Sequence, residues 1–185
     1  MQSSKFKVQN YLKTDSKGFT LIEMLVYAAL LAIVSMVLVS FFIQVVNVTE
    51  TSRRARESLD NARRSLDVIG QEIKHGVNVY TPTSTLGSSP GQLSLETTRD
   101  KPVGETSTYV DFYLDAGGIY LKREGPGAQL VTSEKVRVTN LVFTLLNSTT
   151  GTPAVRVELT AVYKDPISGP SNAVTLVSTT SLRSY

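Results

Sequence analysis

The chain has 185 residues, no cysteine and a single histidine, His75. Disulfide scaffolds, thiolate chemistry and two-histidine metal sites are therefore excluded, and little remains for a histidine-based triad. The net charge is +3, but four of the 19 basic residues (Lys5, Lys7, Lys13, Lys17) and only one of the 16 acidic residues (Asp15) precede residue 19, so the remainder is neutral and gives no support to a nucleic-acid-binding field.

From Phe19 to Val46 the sequence is apolar or small and uncharged, apart from Glu23 and Gln44. As a helix this run reaches about 42 Å, more than the roughly 30 Å of a bilayer hydrocarbon core. It is too long for a secretory signal core of about 7–15 residues, and no small-residue cleavage site follows it. The lysine-rich flank predicts that the N-terminus stays cytoplasmic and the C-terminal bulk crosses. The "RRAR" run, Arg53 to Arg56, lies on the crossing side and weakens that count. Glu23 sits one turn inside the run. An acid costs about 2.5–3.5 kcal/mol at a bilayer centre and less near its edge, so it calls for a partner unless it snorkels to the headgroups.

Beyond the run the pattern becomes amphipathic. Val48, Ser52, Ala55, Leu59, Ala62, Leu66, Ile69 and Ile73 recur at steps of four and three, predicting one buried face. Arg53, Arg54, Arg56, Glu57, Asp60, Arg63, Arg64, Asp67 and Glu72 fall on the other face, with Glu50–Arg54 and Asp60–Arg64 spaced for helix ion pairs. The arginine run reads as a solvated helix face, with lipid headgroups or nucleic acid as the sharper alternatives. Lys74 and His75 suit a helix C-terminus, and Gly76 is expected as its left-handed cap. One helix from Phe19 to His75 would be roughly 85 Å long.

After Gly76 the period is two. "VNVY", "QLSLETT", "TYVDFYLD", "GIYLKRE", "AQLVT", "VRVTNLVFTLLN", "AVRVELTAVY" and "AVTLVSTTSLR" read as strands. "PTSTLGSSPG", "DKPVGE", "DAGG", "EGPG", "NSTTGTP" and "KDPISGP" read as turns, with "DAGG" a hairpin. Val110, Phe112 and Leu114 should face one way and Tyr109, Asp111, Tyr113 and Asp115 the other; Val155, Val157, Leu159 and Ala161 should face inward. Short connections imply an antiparallel sheet covered on one face by the amphipathic half of the helix, an α+β architecture. Asp111 and Asp115 are too far apart along a strand to share a calcium ion alone. No phosphate loop, nucleotide fingerprint or metal-ligand cluster is present in the sequence.

"KGFTLIE", Lys17 to Glu23, ahead of an unbroken apolar helix resembles the processing site of type IV pilins and type II secretion pseudopilins. The resemblance implies a prepilin leader of residues 1–18, cleavage after Gly18 by a prepilin peptidase, N-methylation of Phe19, and an assembly role for Glu23, whose carboxylate pairs with the terminal amine of a neighbouring subunit. It implies a transmembrane half-helix over 19–46, an amphipathic half over 47–76 and an extracytoplasmic β-rich domain over 77–185, pilin-like in fold. It also implies a single-pass inner-membrane protein built into a filament. The partners are the peptidase, an assembly platform and ATPase, membrane lipids, and other minor subunits with a major one; no cofactor, metal or catalytic residue is implied. Arg53, Arg56, Asp60 and Arg64 become candidate contacts with neighbours. Where many major pilins carry a helix-loosening Gly or Pro, Ala32 and Ser40 stand here, which favours a minor subunit.

The outer region is similar, more loosely, to J-type minor pseudopilins and PilW-like minor pilins. It shares an "ARRSLDVI" helix (Ala62 to Ile69), a Gly-Gly hairpin followed by Tyr120-Leu121, a V-x-x-L-x-F strand (Val138, Leu141, Phe143), "AVRVEL" (Ala154 to Leu159) and "SLR" (Ser181 to Arg183). Such a subunit would initiate or cap a filament. A bitopic adhesion or binding module, a membrane-anchored enzyme using carboxylates, and a DNA-uptake minor pilin are the alternatives, and the machine served stays open.

Overall fold

A computed structural model describes residues 18–125, 127–147, 152–164 and 173–183. The proposed leader up to Lys17, and parts of the "EGPG", "NSTTGTP" and "KDPISGP" turns, lie outside these residues. Two compact units divide the chain, residues 1–46 and 47–185. Helix α1, Leu21–His75, contributes to both.

In the first unit α1 is long and apolar enough to cross a membrane, and none of its most apolar window is buried within the chain. No glycine or proline interrupts it between Phe19 and Ile69. Its start is capped locally: the Glu23 amide donates to Thr20 Oγ1 at 3.3 Å, and the Met24 amide to the Thr20 carbonyl at 3.2 Å. Thr20 is thus the N-cap and Glu23 the third helical residue, the spacing of a capping box.

The second unit is an α+β domain. Antiparallel strands β1 (Gly76–Val79), β2 (Gln92–Thr97), β3 (Thr108–Asp115), β4 (Gly118–Arg123) and β5 (Gln129–Leu130) form one sheet in that order. Strands β6 (Val136–Leu146), β7 (Ala154–Tyr163) and β8 (Val174–Ser181) form a second. The single sheet expected from alternation is therefore two. They meet through backbone bonds rather than a shared ladder: Val138 N–H to the Gly117 carbonyl at 2.8 Å, and Gly91 N–H to the Leu141 carbonyl at 2.9 Å. Gly91 is required there, because a Cβ would lie 2.7 Å from the Leu141 oxygen. "AQLVT" shortens to two paired residues, with Thr132 buried and its hydroxyl accepting the Ile119 amide at 3.3 Å.

One core joins helix and sheets. Ala62, Leu66, Ile69 and Ile73 of α1 pack with Leu93, Leu95, Val110 and Phe112 of the first sheet and Leu141, Phe143, Val157 and Leu159 of the second. Alternation read the strands correctly: Val110 and Phe112 are buried while Tyr109 is exposed, and Val155, Val157, Leu159 and Ala161 all face the core. "DAGG" is the expected hairpin. Ala116 (φ 47°) and Gly117 (φ 78°) give a two-residue turn with both central φ positive, the type I′ geometry that matches strand twist.

The helix differs from expectation in four respects. Burial begins at Ser58, so Val48 and Ser52 of the predicted stripe are exposed. The buried stripe also includes Ser58, Asn61 and Ser65, small polar residues, of which two bond locally: Ser65 Oγ donates to the Asn61 carbonyl at 2.8 Å and Asn61 Nδ2 to the Glu57 carbonyl at 2.9 Å, while the Ser58 hydroxyl is buried without a partner among the described residues. Glu72, assigned to the solvent face, is buried and ion-paired with Arg123 of β4. Finally, Gly76 is no left-handed cap. Its φ is ordinary and α1 passes directly into β1. A Cβ at Gly76 would lie 3.0 Å from Leu182 Cδ2 and 3.2 Å from the Ile73 carbonyl oxygen, so close approach is what selects glycine. The His75 carbonyl is satisfied by Thr97 Oγ1 at 3.0 Å and the Gly76 carbonyl by the Arg183 amide at 3.0 Å.

Candidate functional site

The N-terminal end of α1 brings together the residues singled out in the sequence. Gly18 and Phe19 precede the helix and are exposed, Phe19 to 70%. Nothing among the described residues lies within 4 Å of where a Gly18 Cβ would stand. Packing among the described residues does not demand glycine at this position.

Glu23 lies one turn in. Its carboxylate does not reach back to the Thr20 amide, as a complete capping box would have it. It accepts instead from the Tyr27 hydroxyl at 3.2 Å, one turn further along. The Tyr27 ring in turn meets the Phe19 ring edge-on, with centroids 6.2 Å apart and planes at 75°. Tyr27 thus touches both the residue expected as the mature terminus and the acid expected to pair with a terminus. Its signal was present as an aromatic at i+4 from Glu23, hidden in an otherwise apolar run. The Thr-x-x-Glu spacing was equally legible and explains part of why an acid is tolerated here: a carboxylate in a first turn meets the positive end of the helix dipole. Among the described residues no cation pairs with Glu23.

The remaining candidates sit apart from this end. Arg53, Arg56, Asp60 and Arg64 are exposed on α1 within the second unit, as the periodicity predicted. His75 Nδ1 lies 2.7 Å from the Gln71 carbonyl oxygen, so the ring closes the last helical turn. Asp111 and Asp115 share the outer face of β3, and among the described residues no group of three or more potential ligands is placed to hold a metal ion.

Residues 13–39 match the prokaryotic N-terminal methylation motif. The match encloses Gly18, Phe19 and Glu23 and runs into the apolar part of α1. The motif is the one carried by type IV pilin- and pseudopilin-like substrates of prepilin peptidases, and it covers the N-terminal segment alone. Motif and exposed apolar helix together give the chain the N-terminal segment of a membrane-anchored, pilin-like protein. No curated protein and no solved structure matches the chain.

Proposed function

We propose that this chain is a minor pilin or pseudopilin. In this reading residues 1–18 are the leader, the mature chain starts at an N-methylated Phe19, residues 19–46 span the inner membrane once, and residues 77–185 lie outside it. The subunit initiates or caps a type IV pilus or type II secretion pseudopilus together with other minor subunits, in the manner of the J-type or PilW-like proteins. It requires no cofactor.

The observation that carries the reading is the methylation motif enclosing Gly18, Phe19 and Glu23 at the head of a bare apolar helix. Gly18 is compatible with it: the position is exposed and nothing among the described residues packs against it, so it is open to another protein. Glu23 supports it. Cleavage after Gly18 would create an amine on Phe19, and two unit charges about 4 Å apart gain about 4 kcal/mol at an effective dielectric near 20. Desolvation offsets much of that gain, so the pair fixes register while packed apolar helices supply affinity. The absence of Gly and Pro between Phe19 and Ile69 favours a minor over a bulk filament subunit.

Mass spectrometry of the protein extracted from membranes tests the reading directly. The expected N-terminus is methylated Phe19; a functional protein that keeps residues 1–18 overturns it. Glu23→Ala should be inserted and cleaved as usual yet fail to crosslink to neighbouring subunits. Crosslinking at the wild-type level removes the assembly role of Glu23.

A further inference from the structure

The outer face of the five-stranded sheet carries a groove that the assembly reading does not use. Tyr80, Thr83, Gln92, Tyr109 and Asp111 line a shallow space of about 310 Å3. Tyr80 and Tyr109 are 39% and 38% exposed, and their rings meet as a corner, with centroids 5.3 Å apart and planes at 60°. A second pair, Tyr113 and Tyr120, stacks on the same face with centroids 5.6 Å apart. Sheet register places the charges. Asp111 stands between Ser94 and Lys122, and Glu96 stands opposite Tyr109. Directly opposed residues share a face, so the corner is flanked by two carboxylates and one ammonium.

We propose that this groove receives an arginine side chain of a partner polypeptide. Ring faces attract a cation within about 6 Å of the centroid, and a tyrosine corner offers two such faces to one guest. Guanidinium is planar and weakly hydrated, so it stacks on a ring while its fork of donors reaches a carboxylate in two parallel bonds; an ammonium does neither as well. Asp111 supplies that carboxylate, and Gln92 and Thr83 supply further acceptors at the rim. The groove is open to solvent along its length. A free small molecule would stay largely uncovered there, whereas a side chain already tethered to a docked chain needs no full enclosure. Lys122 opposes a cationic guest, and its removal should therefore help binding. The inference rests on the sheet alone and stands whether or not the N-terminus is processed.

The test uses the full-length chain in detergent micelles with 13C-labelled tyrosine, titrated with N-acetyl-arginine amide and, separately, with its neutral isostere N-acetyl-citrulline amide. The expected result is a saturable shift confined to the Tyr80 and Tyr109 signals, with a millimolar dissociation constant for arginine and none for citrulline. Asp111→Asn should weaken binding about fivefold, the loss of one charge-assisted bond at a solvated site. Lys122→Gln should tighten it. Tyr109→Phe keeps the ring and should keep binding, whereas Tyr109→Leu should abolish it with the Tyr163 signal unmoved, which reports that the domain remains folded. No saturable shift at 100-fold the concentration of protein needed for detection, equal shifts with citrulline, or shifts spread over all eight tyrosines each overturn the proposal.

Discussion

Arg123→Met is the substitution whose cost follows most directly from the fold. The Glu72 side chain is 9% exposed and that of Arg123 37%. Methionine retains much of the apolar stem and removes the charge, so the variant isolates the loss of the ion pair from the loss of volume. Removing one partner of a fully buried pair costs about 3–5 kcal/mol, because the other charge stays desolvated. Arg123 lies at the rim, so water can partly reach the Glu72 carboxylate in the variant, and the expected cost falls to about 2–3 kcal/mol. For a domain of this size each kcal/mol corresponds to roughly 3–5 °C, giving a fall in melting temperature of about 6–15 °C. Circular dichroism on residues 47–185 measures it. Replacing the stranded acid as well, with Glu72→Leu and Arg123→Met together, should return the domain to within about 1 kcal/mol of the parent, since an apolar pair of similar volume can replace a buried ion pair. A single variant melting within 2 °C of the parent, or a double variant worse than the single, would show that the pair does not hold the helix to β4.

Three further outcomes follow from close contacts and one hydrogen bond. Gly91→Ala places a Cβ 2.7 Å from a backbone oxygen and 3.0 Å from Phe143 Cδ2; backbone cannot rotate away, so denaturant unfolding should show a loss of about 1–3 kcal/mol. Ala116 holds φ 47° at the first central position of the hairpin, so Ala116→Asn, which creates Asn-Gly, should raise stability by about 0.5–1 kcal/mol in the same assay. Tyr27→Phe removes the bond to Glu23 and keeps the ring against Phe19; cleavage should proceed as usual while crosslinked assemblies fall about fivefold, the worth of roughly 1 kcal/mol.

Much of this was legible in the sequence, for a physical reason. Period-two alternation survives wherever one sheet face meets the core, so Thr108–Asp115 and Ala154–Tyr163 were bounded correctly from residue types alone. Alternation carries no information about which strand pairs with which, so the division into two sheets could not be read from it. The sheets meet where Gly91 lies against the Leu141 carbonyl and Gly117 against the Arg137 side chain, and these neighbours lie far away in sequence. The helix stripe failed for a related reason. Periodicity sorts residues by polarity, and Ser58, Asn61 and Ser65 are polar yet small; Asn61 and Ser65 bond within the helix or to the Ser133 amide, so those two cost little to bury. Glu72 borders the stripe beside Ile73, and only the fold brings Arg123 to it. The N-terminal methylation motif, matched over residues 13–39, was the most legible part. Its signal is local: glycine, aromatic, threonine and glutamate lie within six consecutive positions.

Two carboxylates on one helix show how far the chain accounts for its own charges. Glu72 is buried and meets Arg123 within the same domain, so its charge is answered by the fold. Glu23 meets a helix N-terminus and one phenol hydroxyl, and among the described residues no cation. In water that would be unremarkable. In a segment apolar enough for a bilayer, a hydrogen bond to a neutral donor offsets only part of the cost of removing an acid from water, because the charge itself stays unopposed. Between Glu23 and Gln44 the only polar side chains of the helix are Tyr27, Ser35 and Ser40, and none carries charge. The missing positive charge must then come from outside the described residues, and two sources beyond this chain are the polar boundary of the membrane and another molecule. Glu23→Gln separates the two. If headgroups satisfy the acid, the amide should assemble as well as the parent; if a neighbour's terminus does, the amide should be inserted and cleaved but should crosslink no better than Glu23→Ala.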